Sequence, residues 1–297
     1  MLYSITLRIS YKYDSPAEVG RHVLRVLPLE IPGQQNVLSA ELTCDPQPSE
    51  TCTRRDFFGN TCTEISYREN QERTEFTMRA QVRRHQPEGI FDVSSRRPGF
   101  RAELSSQMAL GPLSPYHFLP ASPRVPDHDG IARWAADVAD GADTAFATVD
   151  AICRALHRDM TFDPTATLVD TPVAEAFALR RGVCQDFTHI AICALRSLGI
   201  PAGYVSGFLR TLPPEGQARL EGADAMHAWV RAWCGKDMGW VEFDPTNAVL
   251  AGDDHVVIAH GRDYFDVAPV KGALRIAGGQ STRQAVDMIS IEDPSWA

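Results

Sequence analysis

The chain has 297 residues, 44% hydrophobic and 23% charged, proportions of a globular protein that exclude disordered, collagen-like and low-complexity chains. Lys and Arg number 29 against 38 Asp and Glu, and the net charge of −9 opposes a phosphate backbone, so nucleic acid is not expected as a partner. No run approaches the roughly 18 apolar residues of a membrane-spanning helix, and the N-terminus lacks a basic segment followed by an apolar one, so neither a membrane nor a secretory address is expected.

Tyr3, Ile5, Leu7, Ile9 and Tyr11 alternate at period two and predict a strand; Val23, Leu24, Val26 and Leu27 form a second apolar run before the break at Pro28 to Gly33. Leu38, Ala40, Leu42 and Cys44 alternate again. Asp56-Phe57-Phe58-Gly59-Asn60 has the composition of a hairpin turn, with strands expected at Thr61 to Tyr67 and Thr74 to Val82. Residues 1–115 therefore form a β-rich domain. Pro112, Pro115, Pro120, Pro123 and Pro126 disfavour helix interiors and central strands alike, which places a linker at 116–129.

Beyond it the period changes. Residues 131–138 and 145–160 carry helical spacing, with Val149, Ile152, Cys153 and Leu156 on one stripe. Thr171 as N-cap and Pro172 at the first helical position start a helix ending near Gly182; another runs from Cys184 to Gly199, with Phe187, Ile190, Ala191, Ala194, Leu195 and Leu198 on its apolar face. Strands follow at Tyr204 to Leu209, Ala225 to Trp233 and Gly239 to Phe243, then at Val256 to Ile258, Ala273 to Ile276 and Ala285 to Ile291. The expected class is α+β, with residues 130–297 a helix-and-sheet domain that includes the C-terminal strands.

Seven cysteines, an odd number without CxxC pairs or metal-like Cys/His spacing, argue against a complete disulfide framework and against zinc. A cytoplasmic protein without metal or cofactor is expected. One cysteine differs from the rest. Cys184 follows Gly182 at a helix start, where unpaired amides favour a thiolate. His227 opens a predicted strand and Asp244 ends the next; antiparallel pairing through residues 234–238 would bring Asp244 to the imidazole and fix its tautomer. A lone cysteine or histidine is more often structural, and the other six cysteines and His22, His85, His117, His128, His157, His255 and His260 are read that way. His189 is the nearest exception because it shares a helix with Cys184.

Gly182-Val183-Cys184-Gln185-Asp186-Phe187, Leu198-Gly199-Ile200-Pro201-Ala202, His227-Ala228-Trp229-Val230 and Gly239-Trp240 leading to Phe243-Asp244-Pro245-Thr246 together resemble the core of the transglutaminase-like superfamily. His22-Val23-Leu24-Arg25-Val26-Leu27-Pro28, Asp56-Phe57-Phe58-Gly59-Asn60 and Gly261-Arg262-Asp263-Tyr264 are similar to a bacterial subgroup in which a β domain precedes that core. The resemblance implies a papain-like triad with Cys184 as nucleophile, His227 as base and later acid, and Asp244 as the orienting carboxylate. The Cys184 amide is a natural oxyanion donor; Gln185 and Trp229 are candidate supports. The implied activity is acyl transfer on peptide or protein amides through a thioester, as peptidase or amidase or as amine transfer that cross-links proteins. The competing expectation is a silent peptide-binding or scaffold protein that kept the core. The β domain is expected to select substrate.

Overall fold

The computed structural model describes residues 1–85, 91–211 and 224–291. The chain begins with the strands β1 (Leu2–Leu24), β2 (Gln35–Asp45), β3 (Glu50–Arg55), β4 (Thr61–Tyr67) and β5 (Gln71–Arg84). The helices α1 (Arg97–Ser105), α2 (Asp129–Val138) and α3 (Ala145–Asp159) follow, then β6 (Thr161–Phe162), α4 (Val173–Leu179), β7 (Arg181–Gly182) and α5 (Cys184–Ser197). The strands β8 (Ala202–Leu209), β9 (Ala225–Trp233), β10 (Trp240–Asp244), β11 (Val249–Leu250) and β12 (His255–Gly261) come next; α6 (Tyr264–Val267), β13 (Val270–Arg275) and β14 (Gln280–Ser290) close the chain. The protein is thus α+β, as its periodicities imply.

Among the described residues seven strands form one sheet, with the path β2-β5-β1-β4-β3 and with β13 and β14 both pairing to β1. The first apolar run and the start of the second, Val23 and Leu24, belong to a single strand, and Val26 and Leu27 follow its end. Its first half pairs with β5 and β14 and its second half with β4 and β13, with an irregularity in the β5 pairing between Lys12 and Ala17. The alternation works as expected: Tyr3, Ile5, Leu7 and Ile9 are each buried.

This topology departs from the boundary drawn from sequence, which put the C-terminal strands with the core. β14 lies along β1 from the pair Tyr3–Ser290 to Tyr13–Gln280. Alternation shows which face of a strand is buried; it carries no information about which strand lies beside it. The proline-rich segment 116–129 is also no loose connection. Phe118 and Val125 are buried, the Arg196 guanidinium donates to Pro120 O (2.9 Å) and Ser122 Oγ (3.0 Å), and the Arg124 N–H donates to Asp263 Oδ2 (2.7 Å). Helix α1 falls inside the span read as all β. It is short and buries only Phe100 and Leu104, too little apolar spacing for a helical signal.

The second sheet has the order β11-β10-β9-β8-β12 and is antiparallel throughout. Helix α5 packs on β8 and β9 and is covered by α2, α3 and α4, so every residue from Gln185 to Arg196 is buried. Gly199, at φ +78, stops the helix and lets the Ile200 N–H return to Leu195 O at 2.9 Å. Ahead of it, α4 begins one residue later than expected: Pro172 is its N-cap, and Thr171 instead accepts the Leu168 N–H at 2.8 Å. No helix among the described residues is long and apolar enough to cross a membrane.

Candidate active site

Cys184 is the first residue of α5 and is partly exposed. Its entry is fixed from both sides. Asp186 Oδ2 accepts the Val183 N–H (2.8 Å) and the Thr167 hydroxyl (2.6 Å), a carboxylate in the first turn tying down the residue before the helix. A Cβ at Gly182 would collide with that carboxylate, so the glycine two residues before the thiol is sterically required. At the first helical position the Cys184 N–H has no intrahelical acceptor and remains available to an anion.

β9 pairs with β10 in the register Phe243–Val230, and this brings Asp244, at the end of β10, to His227. His227 Nε2 and Asp244 Oδ2 are 2.7 Å apart. With Nε2 engaged, Nδ1 is the nitrogen left for Cys184, whose sulfur acts electrostatically on the ring. Burial disfavours the imidazolium, but the Asp244 carboxylate and the Cys184 sulfur outweigh it and push His227 up to about 10. The structure thus brings together the three residues singled out from sequence.

Asp244 has no solvent exposure. Burial alone would neutralise it, yet Oδ2 accepts from His227, from His255 Nε2 (3.2 Å) and from Asn247 Nδ2 (2.6 Å), and Oδ1 from the Thr246 N–H (2.9 Å) and the Asn247 N–H (3.3 Å). These donors hold it well below the usual carboxylate range. His255, Asn247 and Thr246 were not foreseen as site residues. A histidine in an apolar run and a Pro-Thr-Asn turn carry no chemical signature until the fold places them.

The two candidate supports have other partners. Gln185 Nε2 donates to Val169 O (2.9 Å), tying the preceding loop to the helix. Trp229 is fully buried, and its indole N–H donates to Glu242 Oε2 (2.9 Å) while its ring stacks beside His227 at 6.1 Å and meets His255 edge-on at 5.1 Å. Trp229 is a wall against both imidazoles. Gly207, opposite His227 on β8, leaves room for that wall, since a Cβ there would strike Trp229 and the Val256 carbonyl. Glu242 is largely shielded from solvent, which would raise it, yet His260, Arg84 and Arg231 hold it down near 2.

The remaining candidates are structural. His189 Nε2 accepts the Tyr264 N–H (3.2 Å), and burial pushes the ring down to about 4. Burial raises Cys44 and Cys193 to about 11 and Cys234 to about 12, and lifts Cys153 well above its ordinary value. His227, Asp244 and His255 place potential ligand atoms within 4.8 Å of one another. Their separations of 2.7 and 3.2 Å are hydrogen-bond lengths, and the same lone pairs that a metal would need accept N–H groups.

Residues 132–245 match the model of the transglutaminase-like superfamily core, and residues 3–83 match that of the bacterial transglutaminase-like N-terminal region. An uncharacterized protein of Mycobacterium tuberculosis is 30% identical over 98% of this chain and 93% of its own length; one of Mycobacterium leprae is 31% identical over 88% and 89%. In fold, the chain is similar to a proposed cysteine protease from Cytophaga hutchinsonii, at a TM-score of 0.75 and 23% identity over 99% of this chain and 91% of the other. By its matches over residues 3–83 and 132–245, this chain belongs to the transglutaminase-like superfamily, as a core preceded by the bacterial transglutaminase-like N-terminal region.

Proposed function

We propose that the protein is a thiol acyl-transfer enzyme acting on peptide or protein amides through Cys184, His227 and Asp244. The observation that carries this reading is the His227 imidazole bonded to the Asp244 carboxylate (2.7 Å) and acted on by the Cys184 sulfur, which stands at the start of a buried helix. His227 takes the thiol proton at Nδ1, and the sulfur attacks the amide carbonyl. The Cys184 N–H faces the oxyanion that develops. His227 then protonates the departing amine or ammonia, leaving a thioester on Cys184. Water or a second amine completes the turnover, with His227 as base. Asp244 keeps the proton-bearing Nε2 fixed throughout.

Peptidase or amidase activity is the finer reading we adopt over cross-linking. The description of the Cytophaga hutchinsonii protein agrees with this. A reducing, cytoplasmic setting fits seven free thiols. The test is alkylation of the native protein by iodoacetamide, followed by intact and peptide mass. Cys184 should be labelled first, and His227→Ala should slow its labelling. Equal labelling of Cys184 and the exposed Cys52, unaffected by His227→Ala, overturns the proposal.

A further inference from the structure

One buried imidazole beside this site has no part in the steps above. His255 opens β12 and is 4% exposed. The Gly252 N–H donates to its Nδ1 (3.3 Å), so the ring proton sits on Nε2, which donates to Asp244 Oδ2 (3.2 Å). The Trp229 ring abuts it edge-on. Asp244 Oδ2 thereby accepts an N–H from each of two imidazoles, His227 and His255.

The strand that carries His255 is itself held by the N-terminal domain. β12 is an edge strand of the second sheet, and β8 takes only one of its edges. On the other, the Leu29 N–H (3.0 Å) and Gln35 Nε2 (2.7 Å) donate to Val257 O, and Gln35 Oε1 accepts the Val257 N–H (2.8 Å). Gln35 Nε2 also donates to Leu29 O (2.7 Å). Asn60 repeats the pattern at His260, accepting its N–H (2.8 Å) and donating to its carbonyl (2.7 Å). Gln35 and Asn60 have no solvent exposure. Without water to replace a lost bond, each amide fixes the backbone it grips. Val257 lies two residues from His255, so this grip sets where the imidazole begins.

We propose that His255 is a positioning residue that holds the Asp244 carboxylate on His227, and that the N-terminal domain sets its place through Gln35. This rests on the Cys184–His227–Asp244 reading above. An N–H from His255 draws charge out of Oδ2 and fixes the carboxylate through the same oxygen that His227 engages. Without it, more of the charge falls on His227, which binds its proton more tightly. The titratable groups that act on the pair from packed elements are Cys184 of α5 and Cys153 of α3; Glu242 of β10, with its Arg84 and His260 partners, lies behind the Trp229 indole.

The experiment is the iodoacetamide rate at Cys184 as a function of pH, whose alkaline limb reports the loss of the His227 proton, in full-length variants whose fold is checked by circular dichroism. His255→Leu should move that limb up by about one pH unit, a tenfold change in proton affinity. His255→Gln, which keeps an N–H of similar reach, should restore it. Gln35→Leu should shift it in the same direction by less. His227→Ala should abolish the limb. If it does not, the underlying triad reading has failed. If it does while His255→Leu keeps the wild-type profile, the positioning inference alone is overturned. The wild type gives a check that needs no variant: in protein with isotopically labelled histidine, His255 must carry its proton on Nε2, and a proton on Nδ1 contradicts the proposal.

Discussion

Asp244 is a carboxylate with no solvent exposure, and it stays charged only because five N–H groups, from His227, His255, Asn247 (side chain and backbone) and Thr246, point at it. Asp244→Asn replaces an acceptor by a donor facing His227 and leaves the wrong tautomer in place. On a peptide-amide substrate kcat should fall on the order of 10⁴-fold with KM little changed. Unchanged kcat removes Asp244 from the mechanism. The same pair leaves a mark on stability. His227 is raised to about 10, so its contribution is fully present below its unfolded value of about 6.5 and is lost as pH rises through 10. Urea midpoints of the wild type should therefore fall from pH 6.5 to 10 relative to those of His227→Gln; parallel profiles would contradict the raised imidazole. Of these residues, Cys184, His227 and Asp244 could be read from sequence because the chemistry demands those types in motif order. His255 and Asn247 could not, since their role exists only once β12 and the turn after β10 are placed.

The elements explain why the site is rigid. β8, β9 and β10 present Gly207, His227 and Asp244 on adjoining strands, and Trp229 fills the space that Gly207 leaves. Gly207→Ala forces its methyl into the indole and the Val256 carbonyl, which should cost about 1–3 kcal/mol in denaturant titration and slow Cys184 alkylation as His227 loses its wall. Wild-type stability would mean that the strands can separate there. The period of each segment disclosed most of these elements: α3 and α5 fall within a few residues of their predicted ends because their apolar stripes are long, and β8 to β10 follow from β-branched and aromatic runs. α1 escaped because two buried residues make no stripe. The partners of Gln185 and Trp229 escaped as well, because type and proximity in sequence say nothing of whether a donor already has a partner.

In the whole molecule the two ends of the chain meet. β14 pairs along β1, Arg84 from β5 reaches the partly buried Glu242 of β10 (3.9 Å), and Gln35 and Asn60 grip β12. The N-terminal domain is part of the scaffold of the site, beyond any part in choosing substrates. A fragment of residues 120–297 would leave β13 and β14 without β1 and bare one edge of β12; it should aggregate or fail to give a monodisperse peak in size-exclusion chromatography. A monodisperse fragment with wild-type Cys184 reactivity would show that the core needs no N-terminal partner. The sequence hid this arrangement, because alternating residues specify a buried face and leave the choice of neighbouring strand to the packing of the whole chain. The most direct measurement is intact mass after mixing the full-length protein with a peptide-amide library and quenching in acid. A covalent acyl adduct should appear on Cys184 in the wild type, accumulate more slowly in His227→Ala and be absent from Cys184→Ala. An adduct that persists in Cys184→Ala, or turnover of the library with no adduct passing through Cys184, would contradict acyl transfer by this thiol.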